Sequence, residues 1–555
     1  MQAIAETRRP VQAAEGDRKR VWNLLVPSTL DWFFIFLVLW LFVLVEPGWN
    51  RLLDDGDTGW HIRVGEMILS SGSVPTTDPF SFSKPKAEWF AWEWLSEVVL
   101  AELHGWLGLK GVVWFAGVLI AAFAVLLLRY TLWLGADPLV ALLTTLLAVG
   151  AASVHYLARP HLFTMLLLVV SLWIIGRDLR RPGRAVWALV PMAALWANLH
   201  GGFLVLLFCL GSVGGVAFLE AALRRSERRT RLAQGGRYAA LTAACAAATL
   251  VNPYGWELHR HILSYLSSDW IKMSIAEFQS PSFRAENVLQ FEILLISGLL
   301  VAGRLLWERR YVDALWIAAW AHFSLQSARH IPMYAIFAAP LVAVEGSKAW
   351  RAWALGQPRK SPGRTLYEFG RDLGAGLGRA TLWSAVFALS LLAVPGLLKW
   401  PSDFPESEFP LAVIGRNENL IRGRRVFTDD GWADYLLYRF FPVQRVFMDG
   451  RSDFYGEEIG EQYLDLMYGR PRWRELLRKY EFEAVLVPPK RPLAALLDLD
   501  PDWERCDEDE DAVLFVPRAE GPNPGPGGAH PAQARLGTGI LVPEANETVP
   551  PGRKY

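Results

Sequence analysis

The chain has 555 residues, of which 52% are hydrophobic, 13% aromatic and only 20% charged, and its mean hydropathy is +0.20. A composition so apolar at this length excludes an ordinary soluble enzyme and points to a membrane protein. Lys+Arg and Asp+Glu both total 56, so the formal net charge is zero and offers no electrostatic case for nucleic acid or another acidic partner.

At the N-terminus, Arg8, Arg9, Arg18, Lys19 and Arg20 precede an apolar run from about Thr29 to Val45 with no small-residue cleavage site behind it. This is the pattern of an uncleaved signal anchor. A bilayer core of roughly 30 Å asks for about 20 apolar residues per helix. On that criterion about eleven spans are expected, at 29–46, 111–134, 139–156, 161–176, 185–199, 203–223, 238–251, 290–306, 311–325, 331–346 and 381–399. Basic residues set the orientation. With segment 1–28 in the cytoplasm, the clusters Arg177/Arg180/Arg181/Arg184, Arg224/Arg225/Arg228/Arg229/Arg231, Arg304/Arg309/Arg310 and Lys348 to Arg379 all fall in inner loops. Everything after about residue 400 is then outside. The histidines agree: His61, His104, His155, His161, His200, His259, His261, His322 and His330 fall in outer loops or at outer span ends, and His530 in the external tail. Cys209, Cys245 and Cys506 are too few and too scattered for a disulfide framework or a thiolate metal site, and the first two read as small buried hydrophobes.

Two outer segments are long. In 47–110, Asp54, Asp55 and Asp57 stand directly behind the first span, and the aromatic and acidic residues of 89–102 suggest a helix lying in the membrane interface. The second, 252–289, carries Asn252-Pro253-Tyr254-Gly255, His259, His261, Glu277 and Gln279. From 401 to 518 short β-like runs (Arg425–Thr428, Arg445–Met448, Ala484–Val487, Ala512–Val516) alternate with helical patterns at 455–468, 471–480 and 492–499, which predicts a small α/β domain. That domain holds 25 acidic and 16 basic residues. Residues 519–555 are rich in Pro and Gly and are expected to be disordered.

The outer face concentrates the chemistry-bearing residues. Three crowded carboxylates raise one another's pKa, which suits a general base, or, if all stay ionised, a divalent metal site. The same aspartates also suit plain capping of a following helix. If 57–68 is helical, Asp57 and His61 lie one turn apart on one face. Arg159-Pro160-His161, Asn198-Leu199-His200 and Arg329-His330 gather at the same depth; arginine and histidine together suit a phosphate, though arginine at a span end also snorkels. An acid cluster facing phosphate binders across one membrane surface describes a site for transferring a group from a lipid phosphate. No P-loop, dinucleotide glycine motif, His-Glu-x-x-His or Gly-x-Ser-x-Gly competes with this, and no span carries the several mid-membrane charges of a proton-coupled carrier.

A multi-span chain with acids just behind span one, an interfacial helix after them and a soluble domain beyond the last span resembles the GT-C superfamily of polyprenyl-phosphate-sugar glycosyltransferases. That superfamily includes protein mannosyltransferases, lipid A aminoarabinose transferases and oligosaccharyltransferase catalytic subunits. More narrowly, Asp55-Gly56-Asp57-Thr58-Gly59-Trp60-His61 through Glu66, Pro75 through Phe82, Trp92-Glu93-Trp94-Leu95, Ala158-Arg159-Pro160-His161, Asn198-Leu199-His200-Gly201, Asn252-Pro253-Tyr254-Gly255, Arg329-His330-Ile331-Pro332 and Asp449-Gly450-Arg451 look like a bacterial branch of it.

The resemblance implies an α-helical polytopic membrane protein with a small C-terminal α/β extracytoplasmic domain, in the cytoplasmic (inner) membrane. It implies an inverting sugar transfer from a lipid-linked donor to a glycan, lipid or protein acceptor. Asp57 first and Asp55 second would be the acidic residue that deprotonates the acceptor hydroxyl or binds a metal, with His61 as orienting neighbour. Asp54, Arg159, His161, Asn198, His200, Glu277, Gln279, Arg329 and His330 would contact donor or sugar, and Asp55 and Asp57 would hold any divalent metal, Mg or Mn. The expected organisation is 1–28 cytoplasmic, 29–400 transmembrane, 401–518 external and 519–555 tail. The alternative is a non-catalytic membrane carrier or an assembly scaffold.

Overall fold

A computed structural model describes residues 25–44, 48–285, 288–379, 381–394 and 398–518. The expected cytoplasmic residues 1–24 and the tail 519–555 with His530 lie outside the described residues.

Each of the eleven expected spans overlaps a helix, with residues 45, 46 and 395–397 of the first and last lying outside the described residues. Their ends follow local chemistry. Ser28 and Asp31 form a reciprocal capping box that opens Thr29–Leu39, and Asp137 caps Pro138–Ala152, whose proline stands in the first turn where no amide donor is needed. Five helical stretches are long and apolar enough to cross a membrane on their own: Leu109–Leu134, Pro138–His155, His161–Arg180, Gly201–Leu223 and Val288–Trp307. Thr29–Val43, Arg184–Leu199 and Trp383–Ala393 are apolar but shorter. Leu109–Leu134 runs through the middle of the bundle, with Val112, Val113, Ala121, Ala124, Leu127 and Leu128 fully buried.

The first outer segment folds as two helices, Asp57–Ser71 and Trp94–Leu107. They touch along Gly65, where an added Cβ would lie 2.0 Å from the carbonyl oxygen of Glu97. Only glycine permits that approach. The expected helix over 89–102 thus begins later, at Trp94, and its Ser96, Glu97, Leu100 and Ala101 are buried against protein.

The external domain is built on a four-stranded sheet in the order β1-β2-β4-β3, with β1 Val426–Thr428, β2 Ala484–Val487, β3 Trp503–Glu508 and β4 Val513–Pro517. β1 and β2 are parallel, and β2–β4 and β4–β3 antiparallel. The two parallel strands are buried along their whole length, the usual reason such strands read as unbroken apolar runs. Three of the four expected β runs are strands. The fourth, Arg445–Met448, pairs instead with the first outer segment: Phe82 N–H donates to the Val446 carbonyl at 3.0 Å and Val446 N–H to that of Phe80 at 2.9 Å. The strand absent from the sequence reading, β3, is charged and largely exposed after Trp503 and therefore lacks an apolar signature.

Candidate active site

Gly56 and Asp57 open the helix Asp57–Ser71. The Asp57 N–H donates to Asp55 Oδ1 at 2.9 Å, which holds the two carboxylates side by side. Arg159, between two spans, meets both: Nη1 lies 2.7 Å from Asp55 Oδ2 and Nη2 2.5 Å from Asp57 Oδ2. Its loop is tied to the first outer segment by Ala158 N–H donating to Leu52 O at 2.8 Å and Thr58 Oγ1 donating to Ala158 O at 3.2 Å. Burial pushes the Asp57 carboxyl up to about 7, with Arg159 opposing the rise and Asp55 adding to it. Asp54 is also pushed up to about 7 by burial, reinforced by the Glu408 charge.

Asp57 faces a cavity of about 470 Å³. Of the residues expected from the sequence, Asp54, Asp55, Asp57, His61, Arg159, His161, His200, Glu277 and Arg329 line it together. Arg329 lies 3.3 Å from Glu277, donates to Tyr265 Oη at 3.2 Å and sits over the Phe278 ring at 4.4 Å. The His155 and His161 ring centroids lie 4.1 Å apart, tilted by 42°, and both rings line the cavity.

Three expected residues lie outside the cavity wall. Asn198 accepts from Trp94 Nε1 at 2.7 Å and donates to the carbonyls of Ala194 and Val251, Gln279 donates to Met273 O, and His330 to Phe323 O. All three spend side-chain hydrogen bonds on backbone carbonyls instead of facing the cavity. His61 also differs from its expected role beside Asp57. Its ring turns to Glu97 at 3.3 Å and Glu93 at 3.7 Å, and Trp60 Nε1 is the group that donates to Asp57, at 3.2 Å.

Glu93 and Glu97 are therefore site residues that the sequence reading did not single out, although Glu93 stands inside the quoted Trp92-Glu93-Trp94 motif. Glu93 lines the cavity and lies 3.4 Å from His200 Nε2. Gly202 N–H donates to His200 Nδ1, so the neutral ring carries its proton on Nε2, toward Glu93. Burial raises Glu93 to about 8 and Glu97 well above the usual carboxylate range, while burial and Arg159 hold His61 well below the usual imidazole value.

The external domain supplies the far wall. Asp434, on the helix Asp430–Phe440, is 1% exposed. Asp434 Oδ1 accepts from Gly450 N–H at 3.1 Å, while Oδ2 is buried without a hydrogen-bond partner among the described residues. Burial and the Asp57 charge push its carboxyl well up. Asp55, Asp57 and Asp434 each present an oxygen within 4.8 Å of the others, a hard-oxygen set that fits Mg or Mn. Gly450 makes this convergence possible, because a Cβ there would sit 1.9 Å from Asp57 Oδ1.

Several contacts fasten the domain in place. Arg451, 3% exposed, lies 2.6 Å from Asp449 and 2.9 Å from Asp78 of the first outer segment. His261 Nε2 lies 2.8 Å from Asp453, and Arg63 Nε donates to Tyr438 O at 2.8 Å.

No protein-family model and no curated protein sequence matches the chain. Among solved structures it is similar to the archaeal oligosaccharyltransferase AglB from Archaeoglobus fulgidus, in complex with an inhibitory peptide and a dolichol-phosphate. That match has a TM-score of 0.54 at 10% identity and covers 85% of this chain and 70% of that one. ArnT from Cupriavidus metallidurans, bound to undecaprenyl phosphate, aligns over 88% of this chain and 98% of that one at 15% identity, with a TM-score of 0.38. The chain therefore shares the fold of that oligosaccharyltransferase: a bundle of largely apolar helices followed by a small C-terminal α/β domain.

Proposed function

We propose that this protein transfers a sugar from a polyprenyl-phosphate donor to an acceptor hydroxyl at the outer face of the inner membrane. The observation that carries the reading is one cavity with paired aspartates at one end and Arg159, Arg329 and four histidines along the rest of its wall, within a GT-C fold. Asp57 takes the proton of the acceptor hydroxyl. The freed oxygen attacks the anomeric carbon from the face opposite the phosphate, and the carbon–phosphate-oxygen bond breaks with its electron pair leaving on the lipid phosphate. Arg159 and Arg329 meet that charge, Arg329 held in place by Glu277 and Tyr265. A divalent cation held by Asp55 and Asp57 supplies further positive charge at the donor phosphate when bound.

The test is sugar transfer from defined polyprenyl-phosphate sugars by the purified protein and by Asp55→Asn and Asp57→Asn. The reading predicts loss of transfer with expression and folding intact. Full turnover by both variants would sink the mechanism. The proposed orientation, N-terminus inside and external domain outside, has its own check in the native cysteines. Cys506 is exposed, whereas Cys209 and Cys245 are buried, so a membrane-impermeant maleimide should label Cys506 from the outer face. Labelling only after the inner face is opened would invert the topology.

A further inference from the structure

The three carboxylates at the cavity's edge come from two parts of the chain: Asp55 and Asp57 from the first outer segment, Asp434 from the external domain. Arg159 answers the first two. Arg451, the nearby arginine of the external domain, is committed to Asp449 and Asp78. Asp434 Oδ2 is left buried without a hydrogen-bond partner among the described residues, 3.0 Å from where a Cβ on Gly450 would stand and on the same side as Asp57 Oδ1. An uncompensated carboxylate oxygen in such surroundings is costly, and a hard divalent cation bridging it to Asp55 and Asp57 removes the cost with oxygen donors of the right kind.

We propose that Asp434 completes a divalent-cation site shared between the two parts, so that cation binding clamps the external domain onto the first outer segment. The cation ligates one oxygen from each of Asp55, Asp57 and Asp434, and the donor phosphate and water fill the rest of its shell. Ligands contributed by both parts mean that the cation binds the closed arrangement and not the separated one. Its binding free energy therefore adds to the stability of the docked domain.

The proposal concerns the same site as the transfer reading, but its test requires neither donor nor acceptor. The full chain in lipid nanodiscs, stripped with EDTA, is titrated with Mn²⁺ while free Mn²⁺ is read by electron paramagnetic resonance. In parallel, cleavage within 401–518 by a protease is timed with and without Mn²⁺. The expected result is one saturable site per chain, at least tenfold weaker in Asp434→Asn, with Mn²⁺ slowing cleavage of the wild type and not of the variant. Absence of a saturable site in folded wild type, unchanged affinity in Asp434→Asn, or cleavage indifferent to Mn²⁺ would each overturn it. If Asp434→Asn does not fold, Asp55→Asn, whose side chain is partly exposed, decides by the same two readouts: weaker binding with lost protection supports the clamp, and unchanged binding overturns it.

Discussion

Two pairs of carboxylates stand within one outer segment and meet opposite surroundings. Asp55 and Asp57 face the permanent charge of Arg159 at 2.7 and 2.5 Å. Glu93 and Glu97 face only imidazoles, His61 and His200, at 3.3–3.7 Å, and His61 is itself held in its neutral form by burial. Both pairs lose solvation, but the aspartates have a guanidinium in direct contact, whereas the glutamates feel arginine charge only from a distance. Burial lifts Asp57 to about 7 against the pull of Arg159, and lifts Glu93 to about 8 and Glu97 well above the usual carboxylate range. Under the proposed function, the difference suits Asp57 to take a proton, while Glu93 adds a neutral group to the cavity wall.

The comparison is broken most severely at Asp57. Asp57→Asn should lower transfer by about 10³-fold or more if it removes the acceptor of the proton and part of the preorganised charge, measured as initial rates on protein that still elutes as a single folded species. Next in size is Arg451→Ala, which leaves Asp78 and Asp449 buried without their cation. It should cost about 3–5 kcal/mol, read as a lowered unfolding midpoint of the external domain.

Glu93→Gln sharpens the contrast through pH. Glu93 titrates near 8 in the folded chain against an ordinary 4.5, so the folded state binds its proton more tightly than the unfolded one. Its contribution to stability is fully present below about 4.5 and is lost as pH rises through about 8. Wild-type stability should therefore decline across that window and the Glu93→Gln profile should be flatter, as followed by thermal unfolding at stepped pH. A parallel decline in both would remove Glu93 from the account. The smallest effect is expected for Asn198→Ala, outside the cavity, which should cost about 1 kcal/mol of stability through its lost hydrogen bonds and leave the transfer rate within about twofold of wild type.

Spans and signs of charge were legible because both are local. A run of apolar residues long enough for a bilayer is a property of consecutive residues, and every expected span has its helix. Asp57, Arg159, His200 and Arg329 were legible as polar groups at span ends. Asp434 was not: it sits in an ordinary amphipathic helix among acidic neighbours and gains its meaning only where Gly450 lets it approach Asp57. Nor was the run Arg445–Met448, whose alternation says strand but not with which partner.

The sequence by itself determined a bundle of apolar helices, most of the polar groups that meet in the cavity, and the existence of an α/β domain at the end of the chain. Hydropathy and charge act over neighbouring residues, so a linear reading suffices for them. Only the tertiary structure decided that the external domain forms a wall of the cavity, that His61 serves the glutamates and not Asp57, and that Asn198, Gln279 and His330 stand apart from the cavity. Those outcomes depend on which side chains meet across hundreds of residues. Close approach at single glycines and competition among desolvated charges settle them, and neither leaves a pattern in consecutive residues.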